Sequence, residues 1–135
     1  MNIRRVDEIA SFHAHLYFDP ESERDAALAV RAAIAERFAV RLGTIWDRPV
    51  GPHSRAMYQV AFAPELFGRF VPWLMLNRRG LSVLVHPNTA NMRRDHLDDA
   101  LWLGAPLSLK GEVLPDEDGE AELAGEVNTA PTIAP

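Results

Sequence analysis

The stretch Phe12-His13-Ala14-His15-Leu16-Tyr17-Phe18-Asp19 alternates apolar and polar side chains, which is typical of a β-strand with two different faces. Because successive residues of a strand point to opposite sides, His13, His15, Tyr17 and Asp19 share one face and the apolar residues share the other. Each residue advances a strand by about 3.3 Å, so the two histidines are attached about 7 Å apart. Both imidazoles can bend towards one ion. The stretch therefore predicts a strand with a core face and a functional face.

The length and composition predict one domain followed by an acidic tail. The chain has 135 residues, of which 47% are hydrophobic, and this is enough for one sizeable core. After residue 115 the sequence is acidic, rich in Ala, Gly, Thr and Pro, and short of large apolar side chains. We therefore predict one domain over residues 1–114 and a flexible tail over residues 115–135.

The composition also argues against several classes of protein. The chain has no cysteine, so a metal ion must be held by imidazole, carboxylate or water. No apolar run is long enough for a signal peptide or a membrane span, so we expect a cytoplasmic protein that does not bind membranes. The net charge of -5 argues against a nucleic-acid partner, which would require clustered Lys and Arg.

The rest of the chain alternates predicted helices and strands. Apolar side chains at spacings of two to four residues follow Asp19-Pro20 and predict an amphipathic helix. A second apolar stripe follows Pro64 and contains Pro72, which should kink or split that helix. The predicted helices cover residues 24–38, 65–77 and 93–103, and the later predicted strands cover residues 40–46, 57–63, 81–86 and 107–114.

This order of elements predicts a ferredoxin-like α+β fold. The pattern βαββαβ is that of a sandwich with an antiparallel sheet and helices on one face, here with a C-terminal extension. Right-handed connections give the strand order 4-1-3-2. In this interpretation strands 1 and 3 are parallel, strand 4 is antiparallel to strand 1, and strand 2 is antiparallel to strand 3.

Four histidines are expected to meet at one edge of this sheet. His13 and His15 lie at the beginning of the first strand, and His86 lies at the end of the fourth strand, which runs in the opposite direction. His53 lies in the loop before the third strand, which begins at that same edge if it is parallel to the first. His96 follows His86 closely in sequence, but the topology does not fix its position.

A single histidine is more often a packed or surface residue than a ligand, so the convergence is what indicates a metal site. Imidazole-rich sites suit Fe, Zn, Cu and Ni. Because the ordinary pKa of histidine is about 6.5, some of the four are alternatively proton-transfer groups. The residues alone leave open which histidines are ligands.

A carboxylate would complete a two-histidine, one-carboxylate site of the kind found in non-haem Fe(II) oxygenases. The candidates are Asp19, Asp95, Asp98 and Asp99. Each is equally a candidate for a helix cap or a solvated charge, and the sequence does not favour one of them.

Other polar residues are candidates for substrate binding. Arg48 and Arg55 flank His53 and are candidates to bind a substrate carboxylate, although loop arginines are usually solvated. Tyr17 and Gln59 are expected to line the open face of the sheet. The chain has no Gly-rich phosphate loop and no Gly-x-Ser-x-Gly elbow, which argues against nucleotide binding and covalent hydrolysis.

Several separated motifs resemble one known family in the same order. The motifs are Phe12-His13-Ala14-His15-Leu16-Tyr17-Phe18, Gly51-Pro52-His53, Met57-Tyr58-Gln59-Val60, Val85-His86-Pro87-Asn88-Thr89, Asp95-His96 and Ala100-Leu101-Trp102-Leu103-Gly104. Together they resemble the DOPA 4,5-dioxygenase family over about residues 10 to 110. One departure is Asp99, where similar sequences tend to carry a second histidine, and this departure predicts altered or reduced activity.

The resemblance implies a function and a dimer. It implies a ferredoxin-like domain, often a homodimer, that uses Fe(II) and O2 for extradiol cleavage of a small aromatic diol such as L-DOPA. On this hypothesis His13, His15 and His86 bind the metal, and His53 and His96 transfer protons. Tyr17, Arg48, Arg55 and Gln59 then bind the substrate. Zn or another divalent ion is the alternative metal.

Two other functions remain open at this point. A dimeric ferredoxin-like domain could bind a metal ion or an aromatic ligand without catalysis, since a fold alone does not define an activity. A cofactor-free oxygenase on the same fold would retain its activity in the presence of a chelator.

Overall fold

The protein is built on one five-stranded sheet, and the computed structural model describes all 135 residues. The strands are β1 (Ser11–Phe18), β2 (Arg41–Leu42), β3 (Ala56–Phe62), β4 (Val83–Asn88) and β5 (Leu101–Leu103). The helices are α1 (Arg24–Arg37), α2 (Phe67–Asn77) and α3 (Met92–Leu97), and short 3-10 turns cover Val6–Glu8, Pro64–Leu66 and Gly111–Val113. No helix is both long enough and apolar enough to cross a bilayer.

The sheet has the strand order β2-β3-β1-β4-β5, and all neighbouring strands are antiparallel. The first four strands have the predicted order 4-1-3-2, and the ferredoxin-like α+β fold is confirmed. The predicted antiparallel pairing of β4 with β1 and of β2 with β3 is also confirmed. β5 extends the sheet beside β4.

The predicted parallel pairing of the first and third strands is wrong. β1 and β3 pair antiparallel, with Phe12 opposite Phe62 and Phe18 opposite Ala56. The reason lies in the crossover. α1 carries the chain from β1 to a β2 that runs parallel to β1, and β3 then returns between them in the opposite direction.

The apolar face of β1 packs against the two long helices. Ala14, Leu16 and Phe18 are completely buried on this face. They belong to one core with Ala27, Val30 and Ile34 of α1 and with Phe70, Val71 and Leu74 of α2. Burial of one large apolar side chain stabilises a fold by about 1.5–3 kcal/mol, so this face is the main source of stability.

α2 passes through Pro72 without a break. The helix runs from Phe67 to Asn77, so the proline does not split it. A proline lacks the N–H that would bond to the carbonyl four residues earlier, here that of Gly68. Both Pro72 and Gly68 are exposed, so water can hydrogen-bond to that carbonyl at little cost.

The region after β4 differs from the prediction. The predicted helix over residues 93–103 ends at Leu97, and Leu101–Leu103 instead forms the edge strand β5, with Val85 opposite Leu101. The edge of β4 offers unpaired backbone groups, and pairing with them outweighs local helical periodicity. The predicted strand over residues 107–114 is therefore wrong, since its place is taken by β5. α3 lies on the face of the sheet opposite the two long helices, where His96 packs against His15 and His86.

The acidic tail, residues 115–135, has no helix or strand and lies along the domain. The Gly119 N–H donates to the Ala90 carbonyl, with an N···O distance of 2.8 Å. Further along, the Asn128 side chain accepts from the Leu42 N–H and donates to the Leu42 carbonyl, at 2.7 and 2.9 Å. The tail therefore follows the domain from α3 to β2.

Phe70 is the core position with the clearest expected effect on stability. Its ring meets those of Phe38 and Phe62 at centroid distances of 5.0 and 4.9 Å. Phe70→Ala should lower the free energy of unfolding by about 3–5 kcal/mol, because it leaves a cavity. Met75→Ala, on the same helix but 60% exposed, should change it by less than about 0.5 kcal/mol. Urea unfolding measures both, and equal effects of the two substitutions would contradict this account of the core.

Candidate metal centre

All five histidines of the chain lie together on the polar face of the sheet. Their exposed fractions are 7% or less. The shortest distances between ring centroids are 3.9 Å for His86 and His96, 4.2 Å for His15 and His53, and 5.1 Å for His86 with either His13 or His15. The predicted convergence is therefore present, and it includes His96, whose position the topology left open.

The two central strands place three of these imidazoles. His13 and His15 alternate with apolar residues on β1, so both point to the face opposite the core. His86 of β4 is directly opposite His13 in the antiparallel register. Directly opposite residues have their side chains on the same face, about 4.5–5.5 Å apart at Cβ. Strand register alone thus brings these three rings together.

His53 reaches the cluster from a loop that folds back over the sheet. Because β3 is antiparallel to β1, its first residue, Ala56, lies opposite Phe18, at the far end of β1. The predicted meeting at one edge of the sheet is therefore wrong for His53. The loop instead crosses the polar face, held by the Lys110 N–H bonded to the Pro52 carbonyl at 2.8 Å. The histidines converge on a face and not at an edge.

α3 brings His96 to the cluster, and its neighbour Asp95 fixes the helix. The Asn91 side chain caps α3 by accepting from the Arg94 N–H at 2.9 Å. The buried Asp95 carboxylate accepts from both the N–H and the hydroxyl of Thr89, at the end of β4. Asp95 is thus occupied as a structural anchor and does not point a free oxygen at the imidazoles.

Backbone carbonyls define the tautomers of two histidines. His86 Nδ1 lies 2.9 Å from the Pro87 carbonyl oxygen, and His96 Nδ1 lies 2.8 Å from the Met92 carbonyl oxygen. A carbonyl only accepts hydrogen bonds, so each Nδ1 carries the hydrogen. In the neutral ring the other nitrogen, Nε2, then carries a lone pair, and that of His86 accepts a hydrogen bond from His15 Nε2 across 3.0 Å. Both histidines therefore offer Nε2 as a possible ligand or base.

The centre of the cluster contains polar atoms without ordinary partners. His13 Nε2 and His15 Nδ1 are buried and make no hydrogen bond. His15 Nε2 and His86 Nε2 lie 3.0 Å apart. Leaving buried polar atoms unpaired costs about 1–3 kcal/mol each, so the presence of such atoms in a folded protein requires an explanation.

Burial keeps these imidazoles in their neutral form. Loss of hydration, and secondarily the charge of His96, lowers the pKa of both His13 and His53 to about 4. Burial and the neighbouring histidines lower the pKa values of His15 and His86 well below the ordinary range. Burial also lowers the pKa of His96. Neutral imidazole is the form that binds metal ions.

The residues fit a divalent metal ion that prefers nitrogen ligands. Two trios of histidines have donor atoms within 4.8 Å of one another, His13, His15 and His86 in one and His15, His53 and His96 in the other. Two nitrogens that each lie about 2.1 Å from an ion and are a right angle apart are about 3.0 Å from each other. This matches the spacing of His15 Nε2 and His86 Nε2. The first trio contains the three histidines that we assigned to the metal from the sequence.

Tyr17 lies inside the cluster. Its exposed fraction is 1%, and its hydroxyl oxygen lies 2.7 Å from His53 Nδ1. Burial raises the pKa of the Tyr17 phenol, so the hydroxyl remains protonated. The Trp102 ring packs on the Tyr17 ring at 5.7 Å between centroids. Tyr17 is therefore placed as a partner of His53.

The other predicted substrate residues lie further from the imidazoles. Gln59 is opposite His15 on β3, so it shares the polar face and is half-buried. Arg48 and Arg55 are exposed and line a separate surface cavity of about 290 Å³, which also contains Asp19 and Asp47. None of the five histidines lines that cavity.

One acidic side chain beside the cluster is not indicated by the sequence. Asp98 is exposed, and Asp99 pairs with Arg4 at 2.6 Å, away from the imidazoles. Glu122, in the tail, has its Oε1 3.8 Å from His13 Nε2. No motif marks Glu122, and a glutamate in an acidic tail is usually solvated, so only the folded chain reveals this position.

Fold and site together define a class of protein. This is a ferredoxin-like α+β domain with a buried, cysteine-free cluster of histidines that suits a divalent metal ion. More specifically, the chain belongs to the Dopa 4,5-dioxygenase family, whose sequence model matches residues 12–113. The family resemblance of the motifs is confirmed.

Two curated relatives and one solved structure are similar to the chain. It is 38% identical over 113 residues to an "Uncharacterized 21.2 kDa protein" of Botryotinia fuckeliana, covering 73% of this chain and 60% of that protein. It is 34% identical over 124 residues to the DOPA 4,5-dioxygenase of Amanita muscaria, covering 86% of this chain and 54% of that protein. The chain thus spans only 54 to 60% of the length of these relatives. A crystal structure of a "putative dioxygenase" from Nostoc punctiforme superposes with a TM-score of 0.81 at 52% identity, covering 82% of this chain and 96% of that one.

The metal-free protein should lose stability in acid because its histidines are buried in the neutral form. The unfolded chain binds protons near the ordinary histidine pKa of about 6.5, whereas folded His13 and His53 bind them only near a pKa of about 4. Between these values the unfolded state binds more protons, so stability falls as the pH falls. Each such histidine contributes a slope of about 1.4 kcal/mol per pH unit.

Urea unfolding of the metal-free protein between about pH 7 and about pH 4 measures this slope. His53→Gln removes one of the buried groups that titrate. It should make the slope smaller by about 1.4 kcal/mol per pH unit, the contribution of one bound proton. A free energy of unfolding that stays constant over this range would contradict the buried neutral cluster.

Proposed function

We propose that the protein is an Fe(II)-dependent extradiol dioxygenase that cleaves a small aromatic diol, such as L-DOPA or a related catechol, with O2. The observation that carries this proposal is the buried cluster of five neutral imidazoles in a chain of the Dopa 4,5-dioxygenase family. In the proposed reaction both atoms of O2 enter the product. The ring bond next to the diol breaks, and the product has an aldehyde and a carboxylic acid at the new ends.

His13, His15 and His86 are the residues that would hold the metal ion. They form one of the two trios with donor atoms at ligand spacing, and two of them lie on β1, the central strand of the sheet. When bound, Fe(II) would supply the electron transfer that allows a catechol and O2 to combine, as iron cofactors do in O2 chemistry generally. Zn or another divalent ion would also suit imidazole ligands.

His53 is the proposed base for the catechol proton. In the tautomer with hydrogen on Nδ1, this nitrogen donates to the Tyr17 oxygen across 2.7 Å. Nε2 is then free to accept a proton, while Tyr17 fixes the orientation of the ring. His96 is the same tautomer, with hydrogen on Nδ1, because its Nδ1–H donates to the Met92 carbonyl oxygen. The neutral state of both rings at neutral pH leaves them able to accept a proton.

Substrate contacts are proposed for four residues. Tyr17 and Gln59 share the face of the histidines, and Tyr17 would act through His53. Arg48 and Arg55 line a cavity that none of the histidines lines, so a contact with a carboxylate is proposed only for the end of a substrate that lies away from the metal. The homodimer and the cytoplasmic location expected from the sequence stay predictions.

A metal-binding protein without catalysis is the second candidate function. The observation that favours it is burial, since all five histidines are 7% exposed or less and a catechol needs access to the ion. The two candidates differ in turnover and not in metal content, so one experiment separates them.

Reconstitution of the purified protein with Fe(II) under anaerobic conditions, followed by addition of a catechol and O2, tests the proposed activity. We expect uptake of O2 together with a yellow ring-cleaved product, and we expect both to disappear with a chelator. His15→Ala and His86→Ala should lose metal and turnover together, whereas Asp98→Ala, an exposed residue outside the cluster, should keep both.

Three outcomes would argue against an Fe(II) enzyme. Metal binding without O2 uptake across several catechols would favour the binding protein. Activity that survives the chelator would favour a cofactor-free oxygenase. Full turnover in His86→Ala would show that His13, His15 and His86 are not the ligands of the metal ion.

His53 and Tyr17 should affect turnover more than metal content. His53→Gln removes the base and should lower kcat by about 10²–10⁴-fold while leaving the bound metal in place. Tyr17→Phe removes the group that fixes His53 and should lower kcat by about 10- to 100-fold. Steady-state kinetics with elemental analysis measure both. Loss of metal in His53→Gln would instead place the ion in the second trio, with His15 and His96.

A further inference from the structure

A short segment of the tail lies beside the histidine cluster. We call residues 116–122 the strap. Near its beginning the Asn91 side chain donates to the carboxylates of Asp116 and Asp118, at 3.4 Å each. The Gly119 N–H then donates to the Ala90 carbonyl at 2.8 Å. The strap is thus fastened to the residues that precede α3. It lies beyond residue 113, where the match to the family model ends.

A buried hydroxyl fixes the end of the strap. Ser11 is completely buried and precedes His13 by two positions on β1, so both side chains lie on the same face. Its hydroxyl donates to the Glu122 carbonyl oxygen and accepts from Asn88 Nδ2 at 2.9 Å. Asn88 is the partner of Ser11 in the pairing of β1 with β4. The two central strands therefore hold the backbone of Glu122 directly.

This attachment brings the Glu122 carboxylate to an imidazole that lacks a partner. His13 Nε2 is buried and makes no hydrogen bond, and Glu122 Oε1 lies 3.8 Å from it. The Glu122 side chain is 61% exposed, so it stands at the rim of the cluster and contacts water as well as His13. Asp95 and Asp99, two acidic side chains of α3 and its C-terminal end, are engaged by Thr89 and by Arg4.

We propose that Glu122 is the carboxylate of the metal centre, acting at His13, and that the strap is part of the site. The proposal rests on the metal centre of the proposed function. A carboxylate beside a histidine ligand orients the ring and makes it a better ligand. Its negative charge also offsets part of the charge of a divalent ion, although water screens that attraction because the carboxylate stands at the rim. Glu122 is a positioning residue, since it acts through His13.

Titration calorimetry of the metal-free protein with Zn²⁺, and with Fe²⁺ under anaerobic conditions, tests the proposal. Glu122→Gln should weaken binding of the ion by about 10- to 100-fold, because it removes the charge and keeps the shape. Glu120→Gln is the matched control, since it removes the same charge from the same segment at an exposed residue without a contact to a histidine. It should bind the ion as tightly as the parent protein within about twofold.

Hydrogen exchange of the strap gives a second readout that is independent of activity. In the parent protein the ion should slow exchange of the backbone amides of residues 116–122. In Glu122→Gln this protection should be lost, and in Ser11→Ala the strap should exchange faster even without the ion. A purely structural role for Glu122 would change exchange without changing the affinity for the ion.

The outcomes separate this proposal from the dioxygenase proposal. Equal affinity of Glu122→Gln and the parent protein overturns the role of Glu122. Failure of the parent protein to bind either ion overturns it as well. If Glu122→Gln binds the ion weakly and no variant turns over a catechol, the role of Glu122 stands and the dioxygenase activity does not.

Discussion

The antiparallel register between β1 and β4 is the constraint on which the site depends. It sets His13 opposite His86, and because side chains alternate with a period of two, it also puts His15 on that same face. A slip of β1 by one residue would turn His13 and His15 towards the helices and expose the apolar side chains of that strand. The apolar face prevents that slip, since Ala14 and Leu16, with their partners Val85 and Val83, are buried against the helices. Packing of the core therefore fixes which imidazoles stand together on the opposite face of the sheet.

The cluster itself opposes folding, and this is informative about its role. Burial of five neutral imidazoles removes them from water, and two of their nitrogens have no hydrogen-bond partner. Each unpaired buried atom costs about 1–3 kcal/mol. An apolar replacement of the same shape would avoid this cost, so the arrangement is not explained by stability. A bound ion would satisfy the lone pairs at once and would stabilise the folded state in proportion to its affinity.

The parts of this structure that the sequence predicts are those with a local pattern. The alternation in β1 and the stripes of α1 and α2 are local, and the crossover rule then yields the strand order. The predicted direction of β3 is wrong, because β3 lies between the parallel strands β1 and β2 and runs antiparallel to both. His53 joins the cluster all the same, since its loop folds back over the sheet, and loop paths have no periodic signal. Glu122 is beyond prediction for a similar reason, because its position depends on a hydroxyl 111 residues away in the sequence.

α3 shows why the segments outside the central sheet matter to the cluster. This helix has six residues, which is too short to be stable alone, and yet it must place His96 against His86. Contacts from both ends of the chain hold it. Arg4 pairs with Asp99 just after the helix, and the strap carboxylates accept from Asn91 just before it. The Arg4 pair is exposed to solvent and contributes little to stability, so it guides the position of α3 more than it stabilises the fold. Asp99 thus serves to dock the beginning of the chain, and His96 is the imidazole that α3 contributes.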